Sequence, residues 1–310
     1  MRSRGVLPAL MLACCLAACG SSPARTTSSS SGSAARSAVK GQSTGGIRTV
    51  SLTLGGRDRT YLLYVPPGDS SKHLLPLVLV YHGALDTAAR TTGETDLLNI
   101  AEHSHNMILV FPQGVGDTWN EGAGHTPAEQ AGVNDVAFTA AILRRVEAHY
   151  YVNPRFVVAT GFSNGALLTE YLGCRLAGEL TLIVPVEGQL PASVSSTCRP
   201  AAPINVYELH GTADHAIPYG GGGFNGVGGG TTVLAAPASV ARWASLDGCS
   251  TRPQTAASGG VTLTRYGSCH GHVSATLATI DGGQHQWPSK FGETLLGVLA
   301  SLQSPRRAAP

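Results

Sequence analysis

From Ile47 onward, short runs of β-branched and aromatic residues alternate with longer amphipathic stretches, which is the pattern of a mostly parallel sheet flanked by helices. Ile47 to Leu54 and Arg59 to Val65 read as an opening antiparallel pair around Gly55 and Gly56, and Leu77 to Tyr81 as a buried central strand. A helical stretch near Thr95 to His103 leads to a strand over Met107 to Phe111. Val133, Val136, Ala137, Ala140, Leu143 and Val146 recur at helical spacing and predict a helix lying on the sheet, its start marked by Asn134 and Asp135. Phe156 to Thr160 is an apolar strand followed at once by Gly161-Phe162-Ser163-Asn164-Gly165 and a helical run to Leu176. Leu182 to Val186, Val206 to Leu209 and the Val261 to Ile280 region supply further strands, and Phe291 to Leu302 a last helix. Gly220 to Gly230 reads as a glycine-rich loop insertion over the surface. The expected class is α/β, one domain over residues 47–310.

The first residues follow a different pattern. Arg2 and Arg4 precede an apolar stretch from Val6 to Ala18, and small residues then precede a cysteine, as in an export signal. Leu16-Ala17-Ala18-Cys19 followed by Gly20 resembles the bacterial lipobox, which implies cleavage after residue 18 and a diacylglycerol on Cys19. The expected product is exported and anchored by that lipid to the outer face of a bacterial cell membrane. Residues 19–46 are dominated by Ser, Ala, Gly, Thr and Arg, too poor in large apolar side chains to offset the entropy of ordering, and read as a flexible tether.

Charge and cysteine content narrow the picture. With 13% charged residues and a formal net charge of +2, the chain has no basic field for nucleic acid, and no nucleic-acid partner is expected. Beyond the leader's Cys14, Cys15 and Cys19, four cysteines remain, and in an oxidising compartment these form two disulfides. Of three possible pairings, Cys174 with Cys198 and Cys249 with Cys269 each close a short loop, worth about 3 kcal/mol apiece on the chain-entropy model. No C-x-x-C or H-x-x-x-H spacing supports a metal site, so no metal is expected.

Gly161 to Gly165 fits G-x-S-x-G, the sharp strand-to-helix turn that raises a serine above a sheet. Gly41 to Gly45 fits the same pattern, but only Ser163 follows a buried strand and opens a helix. A hydroxyl needs a base to take its proton, and the base an acid to hold its tautomer. Asp214, in His210-Gly211-Thr212-Ala213-Asp214 after a strand, and His285, in the loop after the last strand, follow Ser163 in the order an α/β-hydrolase uses. Asp247 and Asp281 are rival acids without that strand-to-loop setting, and His210 reads as a packed or turn-forming side chain. A neutral His285 base predicts activity that falls on acidification. Tyr81-His82-Gly83-Ala84 stands where this fold supplies one oxyanion amide, giving the Ala84 and Asn164 backbone N–H groups as the expected hole. Trp119 and Trp287 lie in loops expected to border the site and are candidate substrate walls, although either also suits packing.

These residues, together with Phe111-Pro112, Trp119-Asn120, Asn134-Asp135-Val136, Ile217-Pro218-Tyr219, Ala241-Arg242-Trp243 and Gly282-Gly283, give the chain a resemblance to secreted polyhydroxybutyrate depolymerases, feruloyl esterases and acetylxylan esterases, their bacterial lipoprotein members above all. The resemblance implies an α/β-hydrolase fold, a Ser163, Asp214 and His285 triad, disulfide support, no cofactor, and short-chain acyl, feruloyl or hydroxyalkanoate esters as substrates. Family members often carry a richer glycine run where this chain has Ala84-Leu85, and a third glycine where Gln284 stands, so both the oxyanion loop and the turn before the base depart from the pattern. Two other functions remain open from sequence: acyl transfer to a hydroxyl through the same triad, as in the similar mycolyltransferases, and a non-catalytic surface binding lipoprotein.

Overall fold

A computed structural model describes residues 40–303, apart from 41, 44, 70–72 and 105. The leader, Cys19 and the tether up to residue 39 lie outside the described residues. Order begins earlier than the composition implies: β1 (Gln42–Ser43) pairs with β4 (Gly68–Asp69), and Ser43 Oγ donates to Val65 O. Among the described residues no helix is long and apolar enough to cross a membrane.

The chain enters through an antiparallel pair, β2 (Ile47–Leu54) and β3 (Arg57–Tyr64), turned by Gly55 and Gly56 with positive φ. β5 (Leu75–Tyr81) follows, with Leu77 to Tyr81 fully buried, as a strand covered on both faces demands. Two short helices, α1 (Ala88–Glu94) and α2 (Leu97–Ser104), lead to β6 (Ile108–Pro112). After α3 (Pro127–Gln130) comes α4 (Asp135–His149), capped where the sequence marks it: Asn134 accepts from Ala137 N and so satisfies a free donor of the first turn. Next come β7 (Val152–Phe162), α5 (Asn164–Leu176), β8 (Leu182–Val186), α6 (Ala192–Thr197) and β9 (Asn205–Gly211). The glycine-rich segment expected as a loop is a hairpin, β10 (Gly222–Gly226) with β11 (Gly229–Val233). Its glycines carry no side-chain periodicity, so the backbone ladder left no trace in the hydrophobic pattern. α7 (Ala236–Leu246), the strands β12 (Gln254–Ser258), β13 (Val261–Tyr266) and β14 (Ala275–Ile280), and α8 (Phe291–Gln303) complete the chain.

Ten strands form one sheet in the order β12-β13-β14-β9-β8-β7-β5-β6-β3-β2. The six from β14 to β6 are parallel, so their C-terminal ends share one edge, and antiparallel pairs flank them on both sides. α4, α5 and α7 cover one face through Phe138, Ile142, Leu168, Leu172, Val240 and Trp243, while α2 and α8 cover the other through Leu97, Ala101, Phe291 and Leu295. Disulfides join Cys174 to Cys198 and Cys249 to Cys269, the pairing that closes the short loops.

Candidate active site

The turn after β7 puts Ser163 at φ 56° and ψ −119°, a backbone geometry that only a closely fitted surrounding holds in a non-glycine residue. The two glycines around it answer to space. A Cβ at Gly161 would collide with the Gly165 carbonyl, and one at Gly165 with the Tyr81 and His82 carbonyls at the end of β5. Ser163 N donates to Val186 O of β8, which leaves the hydroxyl projecting from the sheet edge.

Two neighbouring loops complete the arrangement. His285, after β14, places Nε2 at 2.9 Å from Ser163 Oγ, and its Nδ1 at 2.8 Å from Asp214 Oδ2, in the loop after β9. The His285–Asp214 bond makes Nδ1 the protonated nitrogen and leaves Nε2 as the acceptor for the serine proton. Asp214 Oδ1 accepts from Ala216 N at 2.8 Å and Ile217 N at 2.9 Å. Burial works against the Asp214 charge, but hydrogen bonds from His210 and His285, the His285 charge and the Ile217 N–H outweigh it and hold the carboxyl below the usual carboxylate range. The rival acids have no such place: Asp281 is exposed beyond β14, and Asp247 is buried at the end of α7, where burial pushes its carboxyl up to about 7.

Behind Asp214 lie two residues that the sequence reading did not assign to the site. His210 is fully buried, with Nε2 2.9 Å from Ile217 O and 3.3 Å from Asp214 Oδ2. Glu187, directly after β8, has both carboxyl oxygens on Gly211 N, at 3.1 and 2.9 Å. Burial above all, then the neighbouring Asp214, pushes Glu187 up to about 8, so it is protonated where Asp214 is ionised. Glu187, His210 and Asp214 offer ligand atoms within 4.8 Å of one another. The carboxyl oxygens of Glu187 and Asp214 are already engaged by backbone N–H groups and by His285, so His210 and Glu187 form a buried polar layer behind Asp214. A carboxylate following Leu182 to Val186 without a spacer was the available signal for Glu187, since a strand end is where this fold collects its chemistry.

Trp119 corrects the sequence expectation. Its ring is fully buried rather than lining the site: Nε1 donates to His82 O at 2.8 Å, the ring packs edge-on with Tyr81, and the backbone N–H donates to Asn164 Oδ1 at 2.8 Å. Trp119 therefore braces the segment carrying Ala84 against the residue after Ser163. Asn164 Nδ2 donates to Glu121 Oε2 at 3.1 Å, and burial, then the Glu129 charge, pushes the Glu121 carboxyl up to about 8. His82 is fully buried; Gly114 N donates to its Nε2 at 3.0 Å, so its proton sits on Nδ1, facing Gly83 O at 2.7 Å. Ala84 is half-buried, and a Cβ at the preceding Gly83 would stand 3.6 Å from Ser163 Cβ, so the β5 turn and the serine turn are in contact. Trp287 is half-buried and stacks on Phe162 at 5.6 Å, and Phe162 lies 4.7 Å from the His285 ring.

Comparison with known proteins follows the same line. No family model matches the chain. Feruloyl esterase B of Piromyces equi is 28% identical over 234 residues, covering 73% of this chain and 42% of that protein. The putative esterase NocK of Nocardia uniformis subsp. tsuyamanensis is 30% identical over 171 residues, 55% of this chain and 49% of that protein. The chain thus spans less than half the length of these two relatives. Among solved structures, an acetyl xylan esterase from Aspergillus awamori superimposes with a TM-score of 0.60 at 14% identity over 81% of this chain and 98% of that one, which establishes the fold.

Proposed function

We propose that the chain, which is similar to feruloyl and acetylxylan esterases and shares the α/β-hydrolase fold, hydrolyses carboxylic esters through an acyl-enzyme on Ser163. The observation that carries the reading is the unbroken chain of hydrogen bonds from Ser163 Oγ through His285 to Asp214, at 2.9 and 2.8 Å. His285 Nε2 takes the serine proton as Oγ attacks the ester carbonyl, and the Ala84 and Asn164 N–H groups receive the oxyanion. Collapse of the tetrahedral intermediate breaks the bond to the alcohol oxygen, which leaves with the proton from His285. Water then attacks the acyl-enzyme with His285 again as base, releasing the acid and restoring Ser163. Asp214 keeps the imidazole in the required tautomer and stabilises its charge, helped by the His210 contact.

The substrates are short-chain acyl, feruloyl or hydroxyalkanoate esters, and the names of the relatives support the acetyl and feruloyl members of that class. Export and a lipid anchor on Cys19 belong to the same proposal, and Cys19→Ser is expected to move the protein from the membrane fraction to the soluble one; retention at the membrane would contradict the anchor. The activity test compares p-nitrophenyl acetate, butyrate and octanoate with methyl ferulate for the wild-type chain and Ser163→Ala. Hydrolysis by the wild type and background rates in the variant are the expected result. A folded wild type inactive on all four esters, or a variant that keeps its activity, would overturn it.

A further inference from the structure

The β10–β11 hairpin plays no part in the chemistry above, yet it is fastened at both ends beside it. At its root, Leu234 N donates to Leu190 O at 3.1 Å, Val233 bridges Pro191, and Gln189 Nε2 donates to Pro218 O at 2.9 Å. The root is therefore held by the loops that follow β8 and β9. At its tip, Gly228 and Gly229 lie flat on His125: a Cβ on Gly228 would collide with the His125 carbonyl, and one on Gly229 would sit 3.0 Å from His125 Cβ. His125 belongs to the loop after β6, the loop that also carries Trp119 and Glu121. In the sheet, β8 and β9 lie on one side of β7, and β5 and β6 on the other. A ribbon rooted at the first pair and pressed on the β6 loop spans the edge from which Ser163 emerges.

Phe224, on this ribbon, is half-buried and packs with Leu167, Ile217 and Val233 in a small apolar cluster apart from the two main layers. Two of those partners adjoin the triad. Leu167 N donates to Ser163 O in the first turn of α5, and Ile217 N donates to Asp214 Oδ1. The other side of the site is the aromatic stack of Phe162, Trp287 and Phe291, with Phe162 against the His285 ring. Chemistry divides the two sides. His285 must hand its proton to the leaving oxygen, so the alcohol half of the ester lies toward His285 and its Phe162 neighbour, and the acyl half is left to point toward Leu167 and the hairpin.

We propose that Phe224 is a specificity-determining residue: its ring, carried across the site by the glycine hairpin, forms the wall on which an extended apolar acyl chain packs. This rests on the esterase reading, and the test separates the two. The ratio of kcat/KM for p-nitrophenyl octanoate to that for p-nitrophenyl acetate, which share a leaving group, is measured for the wild type, Phe224→Ala, Phe224→Leu and the Ser163→Ala background. The expected ratio falls about tenfold in Phe224→Ala and less in Phe224→Leu, as an octanoyl chain loses apolar contact that an acetyl group does not reach. The Leu variant keeps the hairpin's apolar contact and serves if the Ala variant fails to fold. A wild type inactive on both esters defeats the esterase reading. An active wild type with both esters slowed by the same factor in the variants, or with a raised ratio, leaves that reading standing and overturns this inference.

Discussion

Buried carboxyl groups at two places in the fold have opposite fates. At the C-terminal edge of the parallel strands, Asp214 receives the Ala216 and Ile217 N–H groups, His285 Nδ1 and His210, and stays charged against the pull of burial. Between the sheet and α7, Glu170 and Glu208 are fully buried side by side, with Trp243 Nε1 donating to Glu170 and Ser239 nearby. Burial, opposed by the Trp243 and Ser239 hydrogen bonds, still pushes Glu170 up to about 8, and burial together with Glu170 pushes Glu208 well above the usual carboxylate range. The difference is the supply of donors. A buried acid serves chemistry only where the fold converges enough N–H groups on it to keep its ionised form; elsewhere it packs as a neutral group.

The sharpest way to break this contrast is to neutralise each acid in turn. Asp214→Asn is expected to lower kcat by about 10³ to 10⁴, since the amide cannot hold the His285 tautomer, whereas Glu170→Gln keeps kcat within about twofold. Equal losses in the two variants, measured as kcat on p-nitrophenyl acetate, would dissolve the distinction. A smaller effect is expected at the disulfide that ties α5 to the end of α6: removing Cys174–Cys198 by a double Ala substitution lowers stability by about 3 kcal/mol in urea unfolding without removing activity. His210→Ala withdraws one donor from Asp214 and is expected to reduce kcat about tenfold, the scale of one hydrogen bond to a charged group. A kcat equal to wild type would mean that the backbone N–H groups alone hold the acid.

A separate expectation concerns pH. Glu121, Glu170 and Glu187 are protonated in the fold up to about 8, whereas in the unfolded chain they ionise near the ordinary carboxylate value of about 4.3. Between those values the folded state holds more protons, so raising the pH favours unfolding, and Tm is expected to fall from about pH 5 to about 8. Glu170→Gln removes one of these groups and flattens that slope. A Tm that rises over the window, or a slope unchanged in Glu170→Gln, would show that these carboxyls are charged in the fold.

What was legible in the sequence was what depends on order and pattern. The strand, turn and helix around Ser163 are written as an apolar run, two glycines and a helical repeat, and Asp214 and His285 follow at strand ends in the required order. The four cysteines pair with the partners that close short loops because each pair joins neighbouring elements. The hairpin was not legible, since a strand is recognised by its side chains and Gly222, Gly223, Gly226, Gly229 and Gly230 have none. Glu187, Glu121 and the Trp119 brace escaped for a related reason: nothing in a one-dimensional pattern distinguishes a buried acid from a solvated one, or a loop tryptophan facing inward from one facing a cleft. Those roles depend on which loops meet at the sheet edge.

The central claim is that Ser163 is the nucleophile, and covalent trapping tests it most directly. The folded chain is incubated with diethyl p-nitrophenyl phosphate and analysed by intact and peptide mass spectrometry. One diethylphosphoryl group on the peptide containing Ser163, absent in Ser163→Ala and slowed strongly in Asp214→Asn, is the predicted result. A folded wild type that takes up no label, or a Ser163→Ala chain that is labelled as fast as the wild type, would contradict it.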